Sequence, residues 1–234
     1  MAARESGVPF GPESEHLRSE TPVRSGPRPV FTWALFVVCV FAFLPQLVTP
    51  GAERAYSIWG PGVAAGQWWR VLTAQVEHHG YLHIAVNGMS ILGFGPFIER
   101  RVGSVRLALV SLFASLVGAA FALHFNWNTW TAGASVILSA WLGLGIPIVE
   151  PRWRRVLLQW ALFNVLLSLS PGISWAGHLG GALAGLLCGV LIRMSDGFVP
   201  PTRFTLFDRF IPLLLALGVG LIFLAIKFHV GFSA

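Results

Sequence analysis

Residues 177–191 read GHLGGALAGLLCGVL, an apolar stretch that carries a glycine at every fourth position. The repeated glycines are Gly177, Gly181, Gly185 and Gly189. Residues four apart share one face of a helix, so the spacing predicts a membrane-spanning helix with a smooth stripe that a neighbouring helix can approach closely. His178 lies beside one end of this stripe. It is either a histidine at the membrane boundary that bonds to water, or part of a functional site.

The composition of the whole chain indicates the same environment. Of its 234 residues, 55% are hydrophobic and 11% are charged, whereas soluble domains carry about 25% charged residues. The two cysteines, Cys39 and Cys188, both lie inside apolar runs, which excludes a disulfide scaffold. The net charge of +6 comes from basic residues scattered between hydrophobic runs. This pattern is typical of membrane topology, so we expect no nucleic-acid partner.

Seven apolar stretches predict the fold class, an all-α polytopic membrane protein. At about 20 apolar residues per crossing, the chain has room for about seven spans. The stretches are residues 30–48, 82–98, 106–125, 132–149, 156–170, 175–194 and 209–228. The fifth is near the minimum length for a crossing and is expected to be tilted or thinly embedded.

The predicted organisation has three parts. Residues 1–29 are expected to be a flexible cytoplasmic tail, because they hold too few apolar side chains to form a core. Residues 30–195 hold the first six apolar stretches, and residues 196–234 hold a polar segment and the seventh. Within the first of these two ranges, residues 51–81 are too polar to cross a bilayer, and their tryptophans suit a loop at the lipid headgroups.

The basic residues predict the orientation. With a cytoplasmic N-terminus, thirteen of the sixteen lysines and arginines fall in cytoplasmic segments, and Arg54, Arg70 and Lys227 fall outside. The thirteen are Arg4, Arg18, Arg24, Arg28, Arg100, Arg101, Arg106, Arg152, Arg154, Arg155, Arg193, Arg203 and Arg209. Because basic residues accumulate on the cytoplasmic side, we expect the C-terminus outside, and the plasma membrane as the location if the source is prokaryotic.

The first polar exception within the spans is the pair His83 and Asn87, at the start of the second span. A charged group at mid-bilayer costs about 2.5–3.5 kcal/mol, so an ionisable residue there suggests a function. At positions i and i+4 the two side chains share a helix face, and both can donate hydrogen bonds to a negatively charged oxygen. The alternative is a polar clamp between helices.

The other exceptions are Ser135 and His178, at the start of the fourth and sixth spans. In the predicted topology both lie near the outer ends of their helices, at a depth similar to that of His83. A serine beside a histidine on a closely packed neighbouring helix is the arrangement of a base-activated nucleophile, with His83 and Asn87 as oxyanion donors. No carboxylate is placed to orient His178, so a Ser–His dyad is expected. Taken alone, Ser135 is also consistent with a packing residue bonded to its own helix.

Taken in order, these residues resemble the rhomboid family of intramembrane serine proteases over roughly residues 30–195. The matching motifs are Trp69-Arg70 in the first loop, His83 and Asn87 as HxxxN, Glu99-Arg100 after the second span, Gly133-Ala134-Ser135 as GxS, and Gly177-His178 followed by Gly181. Each motif alone is weak, and the specificity lies in the ordered set within a six-span core. The resemblance implies a rhomboid-like six-helix protease core over residues 30–195. Residues 196–234 would then form a linker and an additional C-terminal seventh transmembrane helix, which also occurs in this family.

The resemblance implies a role for each polar residue of the site. Ser135 is expected to be the nucleophile, and His178 the general base and acid. His83 and Asn87, with the backbone N–H of Ser135, are expected to form the oxyanion hole. No cofactor and no metal is implied.

The resemblance also implies structural roles. The supporting residues are expected to be Trp69, Arg70, Glu99, Arg100, Gly133, Gly177 and Gly181. Trp69 and Arg70 would hold the first loop against lipid, and Glu99 and Arg100 would form a cytoplasmic charge pair. His78 would be structural or would organise water.

The chain departs from the family at two positions. Members usually have glycine directly after the nucleophile, where this chain has Val136, and a β-branched side chain there can crowd the approaching helix. One turn after the nucleophile, members often have a tyrosine that stacks on the catalytic histidine, and this chain has Ser139. His178 is therefore expected either to be less firmly oriented or to be supported by another group, which the sequence does not identify.

The expected activity is hydrolysis of a peptide bond in the transmembrane helix of a single-span or polytopic membrane protein. The alternative is a weakly active or inactive rhomboid-like protein that binds such helices. A metal enzyme built on Glu77, His78, His79 and His83 is disfavoured, since HExxH is absent and seven histidines are too few for a di-iron histidine box. A transporter is disfavoured because the spans carry no acidic residue near mid-bilayer. Substrate and oligomeric state stay open.

Overall fold

Helices dominate the part of the chain that this computed structural model describes, which is residues 28–169, 173–196 and 205–231. In chain order they are α1 (Val30–Val48), a 3-10 turn (Ala52–Ala55), α2 (Gly60–Ala64), α3 (Arg70–Thr73), α4 (Tyr81–Val102), α5 (Ser104–Phe125), α6 (Ser135–Ile148), α7 (Pro151–Ser168), α8 (Trp175–Asp196) and α9 (Leu206–Gly231). The predicted tail, apart from its last two residues, and much of the predicted linker lie outside the described residues.

The helices of the described residues confirm the predicted fold class, and the chain is an integral multi-pass membrane protein. Within the described ranges, α1, α4, α5, α8 and α9 are long and apolar enough to cross a membrane. α6 is apolar but has 14 residues, and α7 has 18 residues with three arginines near its start. α7 gains its length over the predicted fifth span from the polar start at Pro151, and it is not among the helices that are apolar enough to cross. α6 begins only at Ser135 and is therefore shorter than the predicted fourth span.

α6 lies at the centre of the bundle, and every residue of 136–145 is buried. α8 packs directly against it through the predicted glycine stripe. A Cβ on Gly189 would fall 2.5 Å from the carbonyl oxygen of Leu144, and one on Gly185 would overlap the carbonyl of Ala140. The stripe therefore lets the two backbones meet, as the spacing predicted.

Glu99 joins α4 to α1. Its carboxylate is 1% exposed and accepts hydrogen bonds from the N–H of Phe31 (2.8 Å), and from the N–H (2.8 Å) and hydroxyl (2.5 Å) of Thr32. These N–H groups belong to the first turn of α1 and have no carbonyl partner within their own helix. Arg100 is exposed and makes no ion pair with Glu99, so the predicted charge pair is wrong. Neighbouring residues of a helix point in different directions, and only Glu99 faces α1.

α9 packs against α5 and is held at both ends. Near its start, the two carboxylate oxygens of Asp208 accept hydrogen bonds from Nε (2.7 Å) and Nη2 (2.5 Å) of Arg106. Near its end, Nε2 of His229 donates to the carbonyl of His124 (2.9 Å), and the His229 ring stacks on Trp127. The seventh long helix is thus fixed to the bundle.

The loop between α1 and α4 is organised around Arg70. Its Nη1 donates to the carbonyl oxygens of Arg54 (2.6 Å) and Ser57 (2.8 Å), and its Nε donates to Oε1 of Gln67 (2.6 Å). The side chain is buried, whereas that of Trp69 is exposed. Arg70 therefore holds the loop together from within, and Trp69 stays available to the surroundings.

Candidate active site

Ser135 and His178 meet at the outer ends of α6 and α8 in the predicted topology. Oγ of Ser135 lies 2.7 Å from Nε2 of His178. Ser135 is the first residue of α6, and His178 lies in the first turn of α8, so the glycine-mediated approach of the two helices brings the side chains together. This distance is within the range of a hydrogen bond between a nucleophile and its base.

His178 has a second partner that the sequence analysis did not find. Its Nδ1 lies 2.5 Å from Oγ of Ser168, the last residue of α7. The same hydroxyl donates to the carbonyl oxygen of Asn164 (2.6 Å). Both ring nitrogens of His178 are therefore engaged, and the second one by a different helix from the one that carries Ser135.

His83 presents a proton donor next to the nucleophile. The N–H of His79 donates to Nδ1 of His83 (3.2 Å), and a ring nitrogen that accepts carries no proton. Neutral His83 therefore has its proton on Nε2. A Cβ built on Gly133 would fall 2.7 Å from this Nε2 and 3.4 Å from Oγ of Ser135, so all three groups border one small space. A donor in this place can stabilise an oxyanion.

Asn87 lies one turn after His83 on the same face of α4 and is buried. Its Nδ2 donates to the carbonyl oxygen of His83 (2.9 Å). A side-chain amide carries two donor hydrogens, so one remains for a ligand. Asn87 and His83 also line the cavity that contains Ser135 and His178.

The segment before Ser135 is tied to the loop between α1 and α4. The N–H of Gly133 donates to the carbonyl of Ala74 (2.8 Å), and that of Ala134 to Nε2 of His78 (3.5 Å). Gly133 has a φ of +127°, a conformation that favours glycine. Because α6 begins at Ser135, the N–H groups of its first turn have no carbonyl partner in the helix and can bind a developing negative charge.

His78 is a structural part of this connection. It is fully buried, and its Nδ1 donates to the carbonyl of Val76 (3.0 Å). Burial, and to a smaller extent the nearby ring of His83, lowers the pKa of His78 from 6.5 to about 3. His78 is therefore neutral at physiological pH, and its Nε2 accepts the N–H of Ala134.

The other members of the histidine-rich stretch also have partners. Glu77 accepts hydrogen bonds from the side chain of Gln46 and from the N–H of His78, and Nε2 of His79 lies 2.9 Å from Oγ of Ser57. Within the described residues, no three histidine, cysteine or acidic side chains are grouped so as to hold a metal ion.

A cavity of about 410 Å³ opens beside Ser135 and His178. It is lined mainly by apolar side chains of α4, α6 and α7, among them Phe94, Leu138 and Trp160. The polar residues of the lining include the four that the sequence analysis placed in the site, which are His83, Asn87, Ser135 and His178. The cavity therefore combines apolar walls with a limited set of polar groups, as ligand sites in proteins usually do.

The structure accommodates both departures from the family pattern. The side chain of Val136 is buried against glycines of α5 and α8: a Cβ on Gly177 would fall 3.2 Å from Cγ2 of Val136, and one on Gly181 3.1 Å from its Cγ1. The hydroxyl of Ser139 donates to the carbonyl of Ser135 (2.8 Å) and lies 3.1 Å from Oδ1 of Asn164. Val136 thus fits without separating the helices, and Ser139 contacts α7 rather than His178.

The predicted residues divide into two groups. Ser135, His178, His83 and Asn87 surround one cavity, whereas Trp69, Arg70, Glu99 and Arg100 lie elsewhere. The sequence analysis missed Ser168 and Asn164. A signal was present, since two polar residues four apart interrupt the apolar fifth span, as His83 and Asn87 do in the second.

Comparison with known proteins agrees with this architecture. The family model described as Rhomboid domain matches residues 65–195. The chain is similar to the rhomboid protease GluP of Bacillus subtilis (strain 168), with 25% identity over 228 residues, which is 90% of this chain and 43% of GluP.

Two plant proteins are similar over a shorter region. RHOMBOID-like protein 6, mitochondrial, of Arabidopsis thaliana is 26% identical over 146 residues, 58% of this chain and 48% of the relative. RHOMBOID-like protein 7 of Arabidopsis thaliana is 27% identical over 149 residues, 60% of this chain and 48% of the relative. The chain spans a little under half the length of these relatives.

Proposed function

This chain belongs to the rhomboid family, and on that premise we propose that it is an intramembrane serine endopeptidase. At the level of the family, intramembrane proteolysis of membrane-protein substrates is supported by the similarity to a rhomboid protease. The observation that carries the proposal for this chain is the distance of 2.7 Å between Nε2 of His178 and Oγ of Ser135. The proposed protease core is residues 30–195, and α1 is included because Glu99 of α4 caps its first turn.

The first chemical step is attack by Oγ of Ser135 on a substrate carbonyl carbon. Nε2 of His178 takes the hydroxyl proton as the new C–O bond forms, and the carbonyl oxygen becomes an oxyanion. The donors for this oxyanion are the Nε2–H of His83, the free amide hydrogen of Asn87 and the N–H of Ser135. His178 then gives its proton to the leaving amine, and the peptide bond breaks.

The second step hydrolyses the acyl-enzyme. A water molecule attacks the ester carbonyl, His178 takes one of its protons, and Ser135 is released with that proton restored. Water must reach the site. The proposed route passes the part of the cavity that is lined by Thr129 and His79.

The substrate must unwind before it can react. In lipid, the carbonyl groups of a helix are bonded within that helix, so a scissile carbonyl is reached only where the helix opens. Substrates with helix-weakening residues near the outer membrane face are therefore expected. α7 is the proposed lateral gate, because only Leu157 and Ser168 among its side chains are buried.

The proposed orientation has the N-terminus in the cytoplasm and the C-terminus outside. It is supported by the thirteen of sixteen basic residues that would then be cytoplasmic. In this orientation Ser135 and His178 lie toward the outer face, which is the side on which cleavage is expected.

Reaction with a fluorophosphonate tests the proposal. The full-length protein, purified and reconstituted in liposomes, is expected to be labelled, and Ser135→Ala to lose the label. The same preparations are incubated with a single-span substrate that carries helix-weakening residues near one end of its span. A folded wild-type protein that binds this substrate but neither cleaves it nor takes the label would instead be an inactive helix-binding protein.

A further inference from the structure

The two short contacts of the Ser168 hydroxyl can both be hydrogen bonds in only one arrangement of protons. Ser168 has a single hydroxyl proton, and the carbonyl oxygen of Asn164, 2.6 Å away, can only accept. With its proton donated to Asn164, Ser168 can only accept at the 2.5 Å contact, so Nδ1 of His178 is the donor. Neutral His178 therefore carries its proton on Nδ1, and its Nε2 has a lone pair directed at Ser135.

This tautomer is the one that a general base requires. With the proton on Nε2 instead, His178 would donate to Ser135 and could not take its proton. Within the described residues, no carboxylate bonds to His178, and the residue one turn after the nucleophile is Ser139 rather than an aromatic side chain. Ser168 is thus the group that selects the protonation state of the ring.

Burial makes the contact effective. His178 and Ser168 are each 6% exposed, so water competes poorly for Nδ1. A bond between two buried polar groups also fixes the rotation of the imidazole ring about its side-chain axis. Both properties, tautomer and orientation, therefore depend on the position of the C-terminal end of α7.

α7 also approaches α6 at Asn164, whose Oδ1 lies 3.1 Å from the hydroxyl of Ser139. Asn164 and Ser168 lie one turn apart on the face of α7 that approaches α6 and α8. The rest of α7 is largely exposed, with Leu157 as its other buried side chain. The two contacts together dock this half of the helix against the site.

We infer that Ser168 is a positioning residue that holds His178 in the orientation and tautomer needed to activate Ser135. The inference rests on the proposed function. It means that the base is competent only while the C-terminal end of α7 is docked, because a displacement of α7 removes the acceptor from Nδ1.

The test uses the full chain in liposomes with four variants. Ser168→Ala removes the hydroxyl, and Ser168→Thr and Ser168→Val form a pair of equal size in which only Thr has a hydroxyl. Ser115→Ala is the matched control, because Ser115 is a buried serine that bonds to the carbonyl of its own helix and does not line the cavity. The measurements are kcat and KM for a transmembrane substrate, thermal stability, and 15N NMR of histidine-labelled protein.

Ser168→Ala and Ser168→Val are expected to lower kcat by about 10- to 100-fold with KM nearly unchanged. Ser168→Thr is expected to keep most of the activity, and Ser115→Ala to behave as wild type. Normal kcat in Ser168→Ala, or equal losses in the Thr and Val variants, would overturn the inference. If Ser168→Ala does not fold, the comparison between Thr and Val decides.

The NMR measurement separates this inference from the proposed function. The His178 signal is assigned by its absence in His178→Asn, and wild type is expected to have the proton on Nδ1. Loss of that protonation in Ser168→Val, with its retention in Ser168→Thr, supports the role of Ser168 even if no substrate is cleaved. The same tautomer in all variants contradicts it, whether or not the protein is a protease.

Discussion

Gly133 and the imidazole of His83 are packed so closely that no side chain fits between them. A Cβ on Gly133 would lie 2.7 Å from both Cε1 and Nε2 of the ring. The contact holds the donor nitrogen of His83 beside the nucleophile, and it makes the residue two positions before Ser135 part of the geometry of the site.

Gly133→Ala is expected to lower the rate of cleavage by at least about 10²-fold, because the ring of His83 must move and one oxyanion donor is lost. The positive φ adds strain of about 1–3 kcal/mol. Gly66→Ala is the matched control, since Gly66 also has a positive φ (+92°) but no atom within 4 Å of an added Cβ. Both variants should lose stability in thermal unfolding. If the cleavage rate falls equally in both, the contact between Gly133 and His83 is not the cause of the slower cleavage.

Asn87→Ala is expected to fold and to cleave up to about 10²-fold more slowly, because one of several oxyanion donors is lost. The comparison is with Ser90→Ala, on the same helix and lining the same cavity, whose hydroxyl donates to the carbonyl of Val86. Single-turnover cleavage rates of the two variants are compared with that of wild type. If Asn87→Ala cleaves as fast as wild type, Asn87 does not belong to the oxyanion site.

Gly185→Ala is expected to destabilise the bundle by about 1–3 kcal/mol, because the new methyl group would overlap the carbonyl of Ala140. Gly93→Ala on α4 is the control, as an added Cβ there meets no atom within 4 Å. Unfolding in mixed detergent micelles measures both. Equal stabilities would show that α6 and α8 do not need the glycine stripe.

Glu99→Gln is expected to lower the free energy of unfolding by about 1–3 kcal/mol, since one carboxylate oxygen is replaced by an amide donor that faces donors of α1. Arg100→Gln should change it by less than about 0.5 kcal/mol, because Arg100 is exposed. The same unfolding measurement applies. If Arg100→Gln alone lowers the free energy of unfolding strongly, Arg100 stabilises the fold as the predicted charge pair requires.

His78 is expected to make the fold sensitive to acid. Its pKa is lowered in the folded state, chiefly by burial, from 6.5 to about 3. The unfolded chain therefore binds a proton that the folded chain excludes. This contribution to stability is complete above pH 6.5 and is lost as the pH falls toward 3, by up to about 1.4 kcal/mol per pH unit.

The neighbouring groups are His79, His83 and Glu77, so the effect of His78 is isolated by comparison with His78→Gln. The difference in unfolding free energy between the two proteins should shrink as the pH is lowered from 7 to 5. A difference that stays constant over this range would mean that His78 is not kept neutral by the fold.

Much of the architecture followed from local patterns. The positions of the predicted spans depend on apolar length, and the close approach of α8 to a neighbour depends on a glycine at every fourth residue. Both are properties of one helix. The close approach appears in the structure, and five of the described helices are long and apolar enough to cross a membrane. The approach of Ser135 to His178 is a property of two helices. The similar depth of the two residues and the glycine stripe suggested it, and the resemblance to a family assigned their roles.

The sequence alone identified the apolar segments and the one that can pack backbone to backbone against a neighbour, because these properties depend on the residues of a single helix. The tertiary structure decided which polar groups meet. A serine in a membrane helix commonly bonds to the carbonyl four residues earlier, and Ser168 does so; its contact with His178 depends on the rotation and docking of α7. Likewise, Glu99 pairs with α1 rather than with its neighbour Arg100, because the direction of a side chain, and not its distance along the chain, selects its partner.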